Sequence, residues 1–293
     1  MNTGFLQSLR ALTRLKPSQK LQRDYLLSLL AALLVAFGLG CGIMLLCGYD
    51  PIKAFGVLFQ GALGTRISFG NTMAKTVTLC LTGLAMSVAA KAGMFNVGGE
   101  GQLYLGAMAA AVVGAALTGA PLWLVTLLAL GAALAAGALY ALIPALLKVK
   151  WKVDEVITTI MLNSAAIYFC SYLANGPMKT GDRGIASGTD AIAAGAAFAP
   201  LIKLSNLTTG LFYAAVAAFL CWYLMKRSTM GFEMKLTGEN DRFARYGGIR
   251  TGRLMLWSMV ISGALCGLVG MLEVFGLHKR FLVTISNEFY FDG

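Results

Sequence analysis

The sequence predicts an all-α protein, a polytopic bundle of transmembrane helices, and three observations support this fold class. Of the 293 residues, 58% are hydrophobic and only 13% are charged, whereas roughly 25% of the residues in a soluble domain are charged. Mean hydropathy is +0.72. Apolar runs recur along the chain, several of them near the roughly 20 residues that a helix needs to cross a bilayer about 30 Å thick. We therefore expect a lipid bilayer to surround most of this chain.

The charges between the apolar runs predict how the chain is threaded. Residues 1–24 form a basic segment, which the positive-inside rule places in the cytoplasm, and residues 25–293 form the transmembrane domain. The strongly basic connection 226–253 is then cytoplasmic, and the weakly charged connection 175–206 is an external loop. We predict about seven crossings, at residues 25–49, 76–90, 103–117, 121–147, 156–173, 207–225 and 254–277.

Several functions are excluded or made improbable by what the sequence lacks. The net charge of +11 is accounted for by the cytoplasmic loops, so it does not indicate nucleic-acid binding. The six cysteines are scattered through apolar runs and His278 is the single histidine, so we expect no metal site. No phosphate-binding loop or hydrolase motif occurs. We expect no catalytic residue and no cofactor on this chain, and any ATP chemistry must belong to another subunit.

A glycine-rich segment holds the first group of candidate functional residues. Residues 93–102 contain four glycines together with Asn96, Glu100 and Gln102, between two short apolar runs. Each glycine weakens a helix by about 1 kcal/mol relative to alanine, so we predict a broken helix. The three polar side chains would line a path for a hydroxylated solute or bond to the broken backbone. Alternatively, the segment is a cytoplasmic turn with Glu100 at a helix N-terminus.

A second polar group follows an acidic helix start at residues 154–155. Thr158, Thr159 and Asn163 have spacings that place them on one face of a helix. That face lines a path or bonds to a neighbouring helix. Glu273, late in the last apolar run, is a weaker candidate, since it could extend to the outer surface.

Three stretches of the sequence, in this order, resemble a known family. They are KAGMFNVGGEGQLYLGAMAAAVVG (residues 91–114), VDEVITTIMLNSAAIYFCSYLANGPMK (153–179) and TGENDRFARYGGIRTGRLMLWSMVISGALCGLVGMLEV (237–274). Together they look like the permease subunits of the branched-chain amino acid, ribose and nucleoside importers of the ATP-binding-cassette (ABC) class. The likeness is greatest to the simple-sugar and nucleoside branch, which works with a basic-membrane-protein type lipoprotein, and it covers residues 25–293.

This resemblance implies partners, a location and a second set of site residues. A member of that family sits in a bacterial cell membrane, pairs with a second homologous permease, and is served by ATPase subunits and an extracytoplasmic substrate-binding lipoprotein. Its coupling motif, which presses a short helix onto the ATPase, maps onto Gly238, Glu239, Asn240, Arg242, Ala244, Arg245, Gly247 and Gly248. The alternative for this segment is a plain positive-inside loop.

The resemblance also gives the expected function and a rival. We expect a permease that carries a nucleoside or simple sugar by alternating access, driven by a separate ATPase. Family members run past residue 293 to about ten crossings, so we expect this chain to be truncated at its C-terminus. The alternative is an ion-coupled secondary transporter or channel for a small polar solute. It would use Glu100 as an ion site but would leave the residues from Gly238 to Gly248 without a role.

Overall fold

A computed structural model of the chain describes residues 17–181, 187–193, 195–286 and 289–292. Most of the predicted basic segment, residues 1–16, lies outside the described residues, as does part of the predicted external loop. The chain divides into two compact units, residues 1–64 and 65–293. Each unit has its own helices.

The described part of the first unit consists of two helices. Helix α1 spans Pro17–Leu46 and contains the first predicted crossing except its last three residues, and α2 spans Pro51–Leu63. Asp50 starts α2, because its carboxylate accepts a hydrogen bond of 3.0 Å from the backbone N–H of Ile52 and Pro51 occupies the first turn. The apolar pattern predicted α1 but not this second, shorter helix.

The second unit contains the remaining helices. They are α3 (Arg66–Lys91), α4 (Gly99–Ala116), α5 (Leu122–Trp151), α6 (Glu155–Asn175), α7 (Gly210–Arg227), α8 (Thr229–Glu239), α9 (Asp241–Tyr246), α10 (Thr251–Glu273), which continues into a π-helical turn (Val274–His278), and α11 (Phe289–Asp292). The described residues form two isolated β-bridges and no strand. The predicted all-α transmembrane bundle is confirmed.

Five helices of the described chain are long and apolar enough to cross a membrane: residues 24–46 of α1, then α3, α5, α6, and α10 with its π-helical turn. The two other predicted runs lie in α4 and α7, which have 18 residues each. The count of about seven crossings and the sidedness of the loops therefore stay predictions.

Helix α10 forms the centre of the second unit, where it packs against α3, α4 and α5. Small residues make this packing close. A Cβ added at Gly267 would overlap the carbonyl oxygen of Ala133 on α5, and one added at Gly106 on α4 would overlap Gly267 itself. Membrane helices commonly associate through small residues four positions apart, because these let two backbones approach. Gly263 and Gly267 have that spacing.

The second unit has two ends, and each end carries a candidate site. At the Gly238 end, the last turn of α3 packs against α8, and α9 leads into α10. At the Glu273 end, the first half of α3 lies beside residues 206–211 and the last turns of α10. Between these ends, α3 and α10 run side by side.

Candidate functional site

The helix predicted to be broken is interrupted between Lys91 and Gly99, where α3 ends and α4 begins. Gly93 has a φ of +73°, in the left-handed region that favours glycine. The backbone N–H groups of residues 92–94 bond back to the carbonyl groups of Ala89 and Ala90. The glycines thus end α3 in a closed turn, and seven residues separate it from α4.

Two of the predicted amides, Asn96 and Gln102, form a reciprocal pair across this interruption. Asn96 Nδ2 donates to Gln102 Oε1 at 2.8 Å, and Gln102 Nε2 donates to Asn96 Oδ1 at 2.9 Å. Asn96 also donates to Ser262 Oγ on α10 at 2.8 Å and accepts from the N–H of Gly98 at 3.2 Å. Both side chains are fully enclosed. The pair therefore links the segment between α3 and α4 to the first turn of α4 and to the central helix α10.

Asn163 of α6 bonds to the backbone on both sides of the start of α4. Its Oδ1 accepts from the N–H of Gly101 at 2.8 Å, and its Nδ2 donates to the carbonyl oxygen of Val97 at 2.8 Å. Thr159 lies beside it against Gly98, with its hydroxyl bonded to Glu155 O in its own helix at 2.6 Å. Thr158 is only half-buried and bonds within its own helix. The predicted face thus supports the interruption through Asn163 and Thr159, but not through Thr158.

Glu100 is buried in the first turn of α4, where a carboxylate favours the helix dipole. Its Oε2 accepts a hydrogen bond of 3.2 Å from the N–H of Tyr290, and the Tyr290 hydroxyl donates to the carbonyl oxygen of Asn96. Of the two roles predicted for these polar residues, bonding to the broken backbone is the one that this conformation displays. Lining of a solute path stays a prediction.

An expected result follows from the two backbone contacts of Asn163. In an Asn163→Leu variant the N–H of Gly101 and the carbonyl group of Val97 lose their partners, and each unpaired buried group costs about 1–3 kcal/mol. The thermal unfolding midpoint of the purified protein should therefore fall. Thr158→Val, one turn away and half-buried, is the matched control and should change it little. Equal midpoints for both variants would contradict the support role.

The predicted coupling residues lie on α8, α9 and the turn that follows them. Asn240 begins α9, with its Oδ1 accepting from the N–H of Phe243 at 3.0 Å. Arg245 binds Asp241 at 2.8 Å and donates to Thr251 at 3.1 Å, which ties α9 to the start of α10. Arg245 therefore has contacts within its own chain.

The other coupling residues divide between buried and exposed positions. Ala244 is the buried residue of α9, whereas Arg242 on the same helix is exposed. Glu239 pairs with Lys235 on the surface of α8 at 3.7 Å. Gly247 and Gly248 form the turn into α10, and Gly248 has a φ of +80°. The exposed groups on α9 are available to another molecule, as a coupling surface requires.

Gly238 connects the two predicted sites. It lies in the last turn of α8 against the end of α3, so that a Cβ at this position would overlap Lys91 O and stand 2.9 Å from the N–H nitrogen of Gly93. The contact is backbone on backbone. The last turn of α8 is therefore in direct backbone contact with the start of the interruption between α3 and α4.

Sequence reasoning missed two features of these ends. Phe243 and Tyr246 of α9 are 61% and 93% exposed, and aromatic residues on such a short, charged helix are a recognisable signal of a protein interface. Glu273 does not extend to the surface, because it is only 8% exposed and accepts a hydrogen bond from Thr78. The alternative that Glu273 extends to the outer surface is therefore wrong.

Comparison with known proteins identifies the family. A family model described as the permease component of the branched-chain amino acid transport system matches residues 68–292. The guanosine ABC transporter permease protein NupP of Bacillus subtilis is 34% identical over 254 residues, covering 86% of this chain and 73% of that protein. The nucleoside ABC transporter permease protein NupB of Lactococcus lactis is 34% identical, covering 86% and 71%. The glucose ABC transporter permease protein TsgB13 of Haloferax volcanii is 34% identical, covering 88% and 70%.

No solved structure matches the chain. The family match confirms the predicted class of transporter, and it goes against the ion-coupled alternative. It also confirms that the chain is not an enzyme. The chain belongs to the permease family of the branched-chain amino acid transport system, the family of membrane subunits of ABC transporters to which its nucleoside and sugar permease relatives belong.

Proposed function

We propose that this chain forms the translocation path of an ABC importer for a nucleoside or a simple sugar, and that a separate ATPase subunit drives it by alternating access. The names of three relatives, which are guanosine, nucleoside and glucose permeases, support this choice of solute. In this proposal ATP binds only to the partner ATPase. The complex also contains a second homologous permease and an extracytoplasmic substrate-binding lipoprotein, and it lies in a bacterial cell membrane with the N-terminus of this chain in the cytoplasm.

The contact of Gly238 with the end of α3 is the observation that carries this proposal. ATP-driven alternating access needs a rigid link between a cytoplasmic docking element and the helices that line the path. Helix α9 supplies the docking element, and Asn240 joins it directly to α8. Because the backbone of Gly238 rests on Lys91 and Gly93, movement of the docking element shifts the interruption between α3 and α4.

The interruption is the part of the path that we expect to change. In this conformation the amides of Asn96, Gln102 and Asn163 bond to each other and to the backbone. A solute hydroxyl can replace an amide partner at little net cost, since one hydrogen bond is exchanged for another. We propose that displacement of α8 opens these pairs, and that Glu100 and the two threonines line the path with them.

The docking surface on α9 consists of Arg242, Phe243 and Tyr246. Large aromatic side chains and arginine contribute most to binding at protein interfaces, and these three are exposed. Arg242 suits an acidic rim on the ATPase. Arg245 contributes less, because its guanidinium is held by Asp241 and Thr251.

Purification of the tagged chain from its native membrane tests this function. We expect an ATPase, a second permease and a lipoprotein to be purified with it, and we expect the reconstituted complex to take up a nucleoside or sugar only with ATP. In a Tyr246→Ala variant, loss of an exposed aromatic anchor should weaken ATPase binding about tenfold or more. Tyr168→Ala is the matched control, since this tyrosine is also exposed, 75%, but lies on α6.

Two results would contradict the proposal. The first is a chain that is purified alone and still transports solute, which would reinstate an ion-coupled mechanism. The second is equal loss of the ATPase in the Tyr246 and Tyr168 variants, which would show that α9 has no special part in docking.

A further inference from the structure

A small pocket with several polar groups in an otherwise apolar lining lies at the Glu273 end, away from the interruption between α3 and α4. It has a volume of about 80 Å³ and is formed by the first half of α3, residues 206–211, the end of α10 with its π-helical turn, and Phe289. Its polar lining comes from Asn71, Lys75, Thr78, Asn206, Thr208 and Glu273. In the predicted threading, the first half of α3, residues 206–211 and the end of α10 all lie at the outer side of the membrane. In that threading, the pocket faces the side from which an imported solute arrives.

Glu273 is the carboxylate of this pocket. It is 8% exposed, and its Oε1 accepts a hydrogen bond of 2.8 Å from the Thr78 hydroxyl. An ionisable side chain within a membrane-spanning helix is costly to place, and such residues typically belong to substrate or ion pathways. The π-helical turn begins at the next residue, Val274, and such turns frequently mark functional sites. Two independent features thus coincide at one position.

The wall of the pocket is also held in place by contacts that do not involve Glu273. Asn71 Oδ1 accepts from the N–H of Asn206 at 2.8 Å, which fixes the loop against α3. Gly276 and Gly210 leave room for Thr208, since a Cβ at either would stand 3.1–3.2 Å from the Thr208 hydroxyl oxygen. The carboxylate, the amide and the hydroxyl groups therefore lie on the wall of a preformed space whose remaining lining is apolar.

Size and charge together restrict what this space holds. A volume of about 80 Å³ is far below the roughly 300 Å³ of a complete small-molecule site. The pocket can therefore hold only one edge of a solute. Lys75 on the wall disfavours a metal cation by like-charge repulsion. A carboxylate accepts hydrogen bonds, whereas an ammonium donates them, so the matching group is one that both donates and accepts.

We propose that this pocket binds two neighbouring hydroxyl groups of the solute, such as the 2′ and 3′ hydroxyls of a ribonucleoside or an equivalent pair on a sugar. Glu273 accepts from the hydroxyl groups, and Lys75 donates to their oxygens. A carboxylate plays the same part towards ribose hydroxyls in dinucleotide-binding folds. This inference rests on the proposed function and narrows its solute class to molecules with a vicinal diol.

The test is ATP-driven uptake by the complete complex reconstituted in lipid vesicles, with a ribonucleoside and its 2′,3′-dideoxy analogue as paired solutes. Wild type should prefer the ribonucleoside, and Glu273→Gln should reduce this preference about tenfold or more, because sites built to bond a hydroxyl discriminate strongly against its absence. Thr78→Val should shift the preference in the same direction, since it removes the group that orients the carboxylate. Thr76→Val is the control, because Thr76 is on the exposed side of the same helix.

Each outcome separates this inference from the function on which it rests. The receptor is the same in every sample, so a change in preference between variants belongs to this chain. ATP-driven uptake with a preference that is unchanged in both the Glu273→Gln and the Thr78→Val complexes overturns the diol pocket and leaves the importer intact. Absence of ATP-driven uptake of either solute by wild type overturns the proposed function and this inference with it. Wild-type uptake that is equal for the two solutes also overturns the pocket.

Discussion

Replacing Gly267 by leucine is expected to prevent the second unit from reaching its folded, monodisperse state. Gly267 lies where α10 meets α5 and α4, and a Cβ there would overlap Ala133 O and stand 3.4 Å from Gly137 Cα. The obstructing atoms belong to the backbone, so no side-chain rotation can relieve the overlap. Overpacking of a well-packed interior costs about 1–3 kcal/mol or more, and leucine adds three carbons beyond the Cβ.

A graded series makes this expectation measurable. Gly267→Ala should lower the thermal unfolding midpoint in detergent, and Gly267→Leu should lower it further or abolish the monodisperse peak in gel filtration. Gly131→Ala on α5 is the matched control, because a Cβ there meets nothing within 4 Å. Alanine is the better helix former by about 1 kcal/mol, so that control should be neutral or stabilising. A Gly267→Ala midpoint at or above the wild-type value would show that these helices do not depend on backbone contact.

The helices that could be predicted from the sequence are those whose apolar residues face lipid or other helices. The predicted boundary of a helix was wrong where the helix carries polar residues that line a pocket. Helix α3 begins at Arg66, ten residues before the predicted run. The prediction started too late because the first half of the helix carries Asn71 and Lys75, which line the pocket at the Glu273 end and lower the hydropathy there. The starting signal was present, since Thr65 caps the helix by accepting from the N–H of Ser68 at 3.0 Å. Hydropathy alone could not reveal it.

The candidate site could be predicted only in part, for a different reason. A cluster of glycines beside polar residues in an apolar chain predicts an interruption, and the structure shows α3 ending at Lys91. The hydrogen-bond partners of the polar residues depend on tertiary contacts. Asn163 is 66 residues from Val97, and Thr78 is 195 residues from Glu273. A single sequence carries no signal for such pairs. Glu273 is near the end of an apolar run, which by itself predicts a surface position rather than a buried one.

Replacing Gly238 by alanine is expected to separate ATP hydrolysis from transport without dissociating the complex. The added Cβ would overlap Lys91 O and approach Gly93 N at 2.9 Å, so α8 must move away from the end of α3. The docking side chains on α9 are untouched, and ATPase should still be purified with the chain. We expect solute uptake per ATP hydrolysed to fall severalfold, because movement of α8 is then passed less completely to α3.

The direction of the effect of Gly238→Ala distinguishes loss of this backbone contact from a change in the stability of α8. In an exposed helix the same change from glycine to alanine stabilises by about 1 kcal/mol, as we expect of Gly131→Ala. A loss of coupling at Gly238 therefore points to the backbone contact with Lys91 and Gly93, because the change in helix propensity has the opposite sign. Uptake per ATP equal to that of the Gly131→Ala complex would show that movement of α9 reaches the path by another route. Because only the short turn of residues 247–250 separates α9 from α10, the central helix would then be the element that transmits it.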